Sequence, residues 1–215
     1  MLLWINGPFG GGKTQVAHEL ARRVPDSIIC DPEEVGFGLH RMTPRRLRHD
    51  FQDFPSWRTG VREVLDLVLR QHQGVVIAPM TLIDTAYFDE IIPWLREHGH
   101  DVRHFALLAE RETVLRRLTE RGYGHVVQRL TGRPDPLRRE TFAISRLDTC
   151  LANLQDDRFR EHVWTDRISV KQVAEVVAAS AGVALLPDNE TAIRASARRA
   201  WIGVKHIRLV GRDSG

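Results

Sequence analysis

Lysine is nearly missing from this chain: of its 31 basic residues only 3 are lysines, and 28 are arginines. Cysteine is scarce too, with Cys30 and Cys150 far apart and without partners at metal-ligand spacing. That excludes a disulfide framework and fits reduced thiols in a cytoplasmic protein. No apolar stretch approaches the roughly 20 residues of a membrane span. No charged segment precedes an apolar run at the start, so no secretory signal is expected. The ten histidines form no H-E-x-x-H or similar cluster, and neither an internal repeat nor a low-complexity tract occurs. A net charge of +3 is modest, and small anionic substrates explain it as well as nucleic acid does. What remains is a 215-residue chain, 42% hydrophobic and 27% charged, long enough for one sizeable core.

Against the arginine bias one lysine stands out. Lys13 is the only lysine before Lys171, and it sits in "WINGPFGGGKTQ", residues 4–15. Gly7, Gly12, Lys13 and Thr14 satisfy G-x-x-x-x-G-K-[ST] without substitution, after an apolar strand-like run and before an amphipathic helix. In that context the glycines let backbone N–H groups turn inward around phosphates, and the helix N-terminus adds partial positive charge. The candidate nucleotide contacts are therefore Gly7, Pro8, Phe9, Gly10, Gly11, Gly12, Lys13, Thr14 and Gln15. Lys13 would reach the β- and γ-phosphates of ATP, and the Thr14 hydroxyl would bind Mg²⁺. A compact ammonium suits that point-charge role, where composition alone predicts arginine.

Strand-like and helix-like segments then alternate. "SIIC", "GVVIAPM", "VRHFALLA" and "HVWT" read as further strands. "VREVLDLVLRQ", "AYFDEIIPWLREHG", "RETVLRRLTERG" and "VKQVAEVVAASAG" read as helices, two of them ended by Gly99 and Gly122. This rhythm predicts an α/β fold, a three-layer sandwich with a five-stranded, mostly parallel sheet and helices on both faces. Two segments stand outside it: residues 122–140, rich in Gly, Pro and Arg, and the basic stretch 184–215. The expected division is a core over 1–183, with a lid at about 122–140, and a C-terminal extension over 184–215.

The reaction class follows from what accompanies the loop. No guanine-reading N-K-x-D is present, which favours ATP over GTP, and the third strand ends in Pro79, Met80 and Thr81 rather than in a metal-holding carboxylate. Ligands in such sheets bind beyond the carboxyl ends of the strands, so Met80 and Thr81 are candidate acceptor contacts. A carboxylate does follow strand two, in "IICDPEEVG". Asp31 there can accept or orient the proton of an attacking hydroxyl, or can simply cap the turn before Pro32. Arg117 and Arg121 share a helix face, and Arg129, Arg133, Arg138 and Arg139 lie in or beside the insert. Together they read as a lid that carries positive charge to a transferring phosphoryl group, with Arg121 and Arg133 in catalytic roles. "DFQDFPSWR", residues 50–58, has two readings of equal standing: an acceptor surface using Asp53, Trp57 and Arg58, or a buried helical edge of Phe51, Phe54 and Trp57.

"WINGPFGGGKTQ", "CDPEEVGF", "DFQDFPSWR" and "VVIAPMTL", in this order, resemble the bacterial tunicamycin-resistance-protein family of P-loop ATP-binding proteins. The wider clan contains shikimate, gluconate and nucleoside-monophosphate kinases. The resemblance implies a P-loop kinase-like fold, Lys13 and Thr14 handling ATP and Mg²⁺, and Asp31 on the acceptor side. It further implies Arg117 packing on adenine, Arg121 at the base of the lid, and self-protection against a nucleoside antibiotic. The leading expectation is an ATP-dependent phosphotransferase acting on a hydroxyl of a small molecule. A second is an ATP-binding protein that sequesters the antibiotic without transfer. A third is a peripheral membrane ATPase, in which Arg194, Arg198, Arg199, Lys205 and Arg208 alternate with apolar residues of the tail. Small molecules are thus the expected partners, nucleic acid is not, and the oligomeric state is unreadable.

Overall fold

The structure is a computed structural model that describes residues 1–121 and 144–190. The expected lid, with Arg129, Arg133, Arg138 and Arg139, and the tail beyond Glu190 lie outside the described residues. Five strands form one sheet: β1 (Leu2–Asn6), β2 (Ile28–Ile29), β3 (Val76–Pro79), β4 (Val102–Leu108) and β5 (His162–Trp164). Their spatial order is β2-β3-β1-β4-β5, and every pairing is parallel. The helices are α1 (Lys13–Arg23), α2 (Glu33–Met42), α3 (Pro55–Gln71), α4 (Thr85–Glu97), α5 (Arg111–Arg121), α6 (Leu147–Asn153) and α7 (Val170–Ala181). No described helix is long and apolar enough to cross a membrane.

The apolar run at the front of the chain explains the centre of this sheet. β1 is flanked by β3 and β4, so both of its edges are paired, and with helices over both faces all five of its residues are buried. Its side chains alternate between two cores. Leu2 and Trp4 pack with Trp57, Leu65, Phe88, Ile91 and Phe159 under α3 and α4, whereas Leu3 and Ile5 pack with Leu20, Phe105, Val173 and Val177 under α1 and α7. A helix on each face is thus required by one strand's composition. Each large side chain so buried stabilises the fold by about 1.5–3 kcal/mol.

Topology then fixes where a ligand can sit. From β1 the chain passes over β3 to build β2, returns to β3, and crosses to β4 on the other side. The order therefore switches at β1, and the crevice at its carboxyl end is where such sheets bind ligands. The loop 7–12 opens there.

The helix α2 has no counterpart in the sequence expectations. α2 contains Gly36 and Gly38, which weaken a helical reading. Gly36 has a packing reason: a Cβ there would lie 2.5 Å from the Phe51 ring. The Gly36→Ala variant should lose about 1–3 kcal/mol of stability. Thermal unfolding checks this, and a variant as stable as the parent would show that Phe51 moves aside at little cost. At the other end of the chain, residues 184–190 run back along α1: Leu186 N–H donates to Arg23 O (2.7 Å), and Asp188 pairs with Arg22 and Lys171.

Candidate active site

The loop between β1 and α1 has the conformation its glycines allow. Gly12 sits at φ +93°, in the left-handed region, and a Cβ there would meet nothing within 4 Å. The space beside it is open. α1 begins without a side-chain cap and without an acidic residue in its first turn. Its leading N–H groups are therefore suited to an external anion. The tip of the loop rests on apolar side chains: Phe9 packs with Val114, Leu118 and Leu147 of α5 and α6.

Lys13 is largely buried, and its ammonium donates to Gly7 O (3.0 Å) and Pro8 O (3.1 Å) and lies 5.5 Å from the Phe9 ring centroid. The Thr14 hydroxyl makes no hydrogen bond among the described residues. These groups fit a nucleoside triphosphate and its Mg²⁺: a cation, an uncapped helix N-terminus and a hydroxyl stand on consecutive positions of one loop and helix start.

Beneath the loop lies a polar cluster that sequence reading missed. Asn6 is fully buried; its carbonyl oxygen accepts from Gly7 N–H (2.8 Å) and Leu82 N–H (2.9 Å). Its amide donates to Leu82 O (2.6 Å) and meets His104 Nε2 at 3.1 Å. His104 Nδ1 lies 3.1 Å from Arg160 O, a pure acceptor, so Nδ1 carries the proton and Nε2 accepts from Asn6. Burial lowers the His104 pKa from 6.5 to about 4, which keeps that tautomer neutral. One available signal was the single polar residue at the end of an otherwise apolar strand.

Asp31 leaves β2 at the rim of the same crevice. Its Oδ1 accepts from Glu33 N–H (3.0 Å), so it does form a turn with α2, yet the second oxygen is left for other partners. Burial raises its pKa from 3.8 to about 7, with Glu33 and Glu34 adding to the rise and the Lys13 ammonium opposing it. Asp31 and Lys13 therefore interact electrostatically. Burial also pushes the Cys150 thiol of α6 up to about 11, with the Lys13 ammonium opposing the rise.

The structure sorts the remaining candidates. Trp57 is fully buried, and its indole N–H donates to Pro32 O (3.0 Å), bracing the turn after Asp31. Its burial with Phe51 and Phe54 against the core matches the helical-edge alternative. Arg58 is engaged internally, donating to Glu90 (2.7 Å) and Gln52 O (2.6 Å) above the Tyr87 ring. Met80 is buried in the core, and Thr81, also buried, donates to Gly7 O (2.9 Å). Asp53 is half-exposed and accepts from the Tyr87 hydroxyl (3.0 Å). Arg117 braces α5 against the end of β5, donating to Thr165 Oγ1 (2.9 Å) and Thr165 O (2.7 Å). Arg121 closes α5, and its side chain lies outside the described part.

Comparison with known proteins agrees with this geometry. A model of the AAA domain family matches residues 2–133. The chain is similar to the Deinococcus radiodurans tunicamycin resistance protein, with 30% identity over 87% of this chain and 99% of that one, at a TM-score of 0.69. Two more distant structures share the fold. One is a sugar kinase from Janibacter sp. HTCC2649 (19% identity, 85% and 94% of the two chains, TM-score 0.56). The other is the Mycobacterium tuberculosis APS kinase in complex with AMPPNP and APS (16% identity, 84% and 96%, TM-score 0.52). No curated protein matches the chain in sequence. A domain model that spans more than half of the chain, and a 30% identical relative matched almost end to end, lead to one conclusion: this chain belongs to the tunicamycin-resistance-protein family of AAA-domain proteins with a P-loop kinase-like fold.

Proposed function

We propose that the protein is an ATP-dependent phosphotransferase that acts on a hydroxyl of a small molecule, a nucleoside-type antibiotic such as tunicamycin. The observation that carries the reading is the Asp31 carboxyl, which follows β2 and is pushed up by burial to a pKa of about 7 while the Lys13 ammonium of the phosphate loop opposes that rise. A group that titrates near pH 7 is matched to proton abstraction at that pH.

In this reading Asp31 takes the proton of the acceptor hydroxyl. The acceptor oxygen then bonds to the γ-phosphorus as the β–γ bridging oxygen departs with the electron pair, leaving ADP. Lys13 gives up its loop carbonyls and, with the N–H groups of the loop and α1, holds the β- and γ-phosphates. Thr14 would hold Mg²⁺, which supplies charge neutralisation at those phosphates when bound. Arg117, held by Thr165, would border the base side, and Arg121 and Arg133, read from the sequence as catalytic, would bring further positive charge. Asp53, exposed beside Tyr87, remains an acceptor-side contact, whereas Trp57, Arg58 and Met80 support that side from within.

The test is mass spectrometry of tunicamycin and a panel of nucleosides, each incubated with the protein and Mg-ATP beside a Lys13→Ala control. A gain of one phosphoryl group that disappears in the control is expected. ATP binding without any gain across the panel would favour sequestration over transfer.

A further inference from the structure

We propose that Thr81 is a positioning residue of the phosphate loop: its hydroxyl holds the Gly7 carbonyl and so frees Lys13 for the β- and γ-phosphates. The inference rests on the nucleotide reading above. Gly7 O accepts from two donors, Lys13 Nζ at 3.0 Å and Thr81 Oγ1 at 2.9 Å. A carbonyl oxygen has two lone pairs, and a buried one left without a donor is costly. When Lys13 turns to a phosphate it surrenders this bond, and the Thr81 hydroxyl is the donor that stays.

Thr81 is built to stay. It is 3% exposed, and its neighbours are tied to β1 on both sides: Met80 N–H donates to Ile5 O (3.0 Å) and Leu82 N–H to Asn6 Oδ1 (2.9 Å). Its own carbonyl accepts from Gln52 Nε2 (3.1 Å), which joins the phosphate loop to the acceptor-side turn before α3. With valine at this position, Gly7 O would depend on Lys13, and the ammonium would be divided between carbonyl and phosphate. The cost therefore falls on ligands that need Lys13. ATP carries the β- and γ-phosphates that Lys13 would hold, and AMP does not.

Calorimetric titration of the full chain with Mg-ATP and with AMP tests this, alongside thermal unfolding. Thr81→Val should bind ATP about tenfold more weakly, the size expected for one buried hydrogen bond, while AMP affinity changes less than twofold. Thr81→Ser should restore ATP binding, and adding Thr81→Val to Lys13→Met should cause no further loss. Equal ATP affinity in Thr81→Val and the parent overturns the inference. So does a parallel fall in ATP and AMP affinity, which marks a merely structural role. Should the valine variant fail to fold, Thr81→Cys, a weak donor of similar size, must fall below Thr81→Ser in ATP affinity alone. A parent chain that binds neither nucleotide overturns the nucleotide reading itself.

Discussion

Asp31→Asn is expected to lower turnover by about 10²–10⁴-fold, the usual worth of a general base, with ATP affinity essentially retained. Asparagine keeps the shape and the turn-forming oxygen that receives Glu33 N–H, but it cannot take a proton. The parent's kcat/KM should rise with pH through a midpoint near 7, because the ionised carboxylate is the active form and the pKa of Asp31 stands at about 7. The variant's profile should be flat there. A variant that keeps more than a tenth of parental turnover would remove Asp31 from the chemistry. Retained protection against the antibiotic without turnover would instead point to sequestration.

The largest stability effect is expected beneath the phosphate loop. Asn6→Ala removes the partner of Gly7 N–H, Leu82 N–H, Leu82 O and His104 at once. Buried groups left unpaired cost about 1–3 kcal/mol each. A total loss of about 3–5 kcal/mol is expected, read as a fall in melting temperature of roughly 10 °C for a chain of this size. A melting temperature within a degree or two of the parent would show that the cluster is dispensable.

The same cluster gives stability a pH dependence with a definite sign. His104 has its pKa lowered from 6.5 to about 4 in the folded state. Between those values the unfolded chain binds a proton that the folded site refuses. Stability is therefore lost as pH falls from 6.5 to 4, by up to roughly 3 kcal/mol. Asp31 acts oppositely: its pKa is raised from 3.8 to about 7, so its contribution is lost as pH rises through that window. The two overlap, and each is read from a difference curve against His104→Gln or Asp31→Asn.

The phosphate loop could be read without a structure because every part of it is local. Six glycine-rich residues between a strand and a helix dictate the backbone path, and the strand of buried apolar residues dictates a sheet covered on both faces. The alternation of segments likewise predicted the parallel sheet, all of it parallel in the event. The helix α2 stayed hidden. In α2 the glycines contradict local propensity, and only the Phe51 ring against Gly36 explains them.

At the site the division follows sequence separation. Asp31 was visible as a carboxylate after a strand, but its raised pKa comes from burial and neighbours that only folding assembles. The 50–58 segment supported two readings, since an aromatic and an arginine can line a site or fill a core. Packing decided for the core by burying Trp57 against Pro32 O and by tying Arg58 to Glu90. Thr81 and Gly7 stand 74 residues apart, and Asn6 and His104 stand 98 apart. No spacing rule can join them. Local sequence specifies the sheet and the phosphate loop, because these follow from periodicity and short-range backbone freedom. The tertiary structure alone decided which polar groups hold that loop in place, because burial and hydrogen-bond partners are properties of the assembled fold.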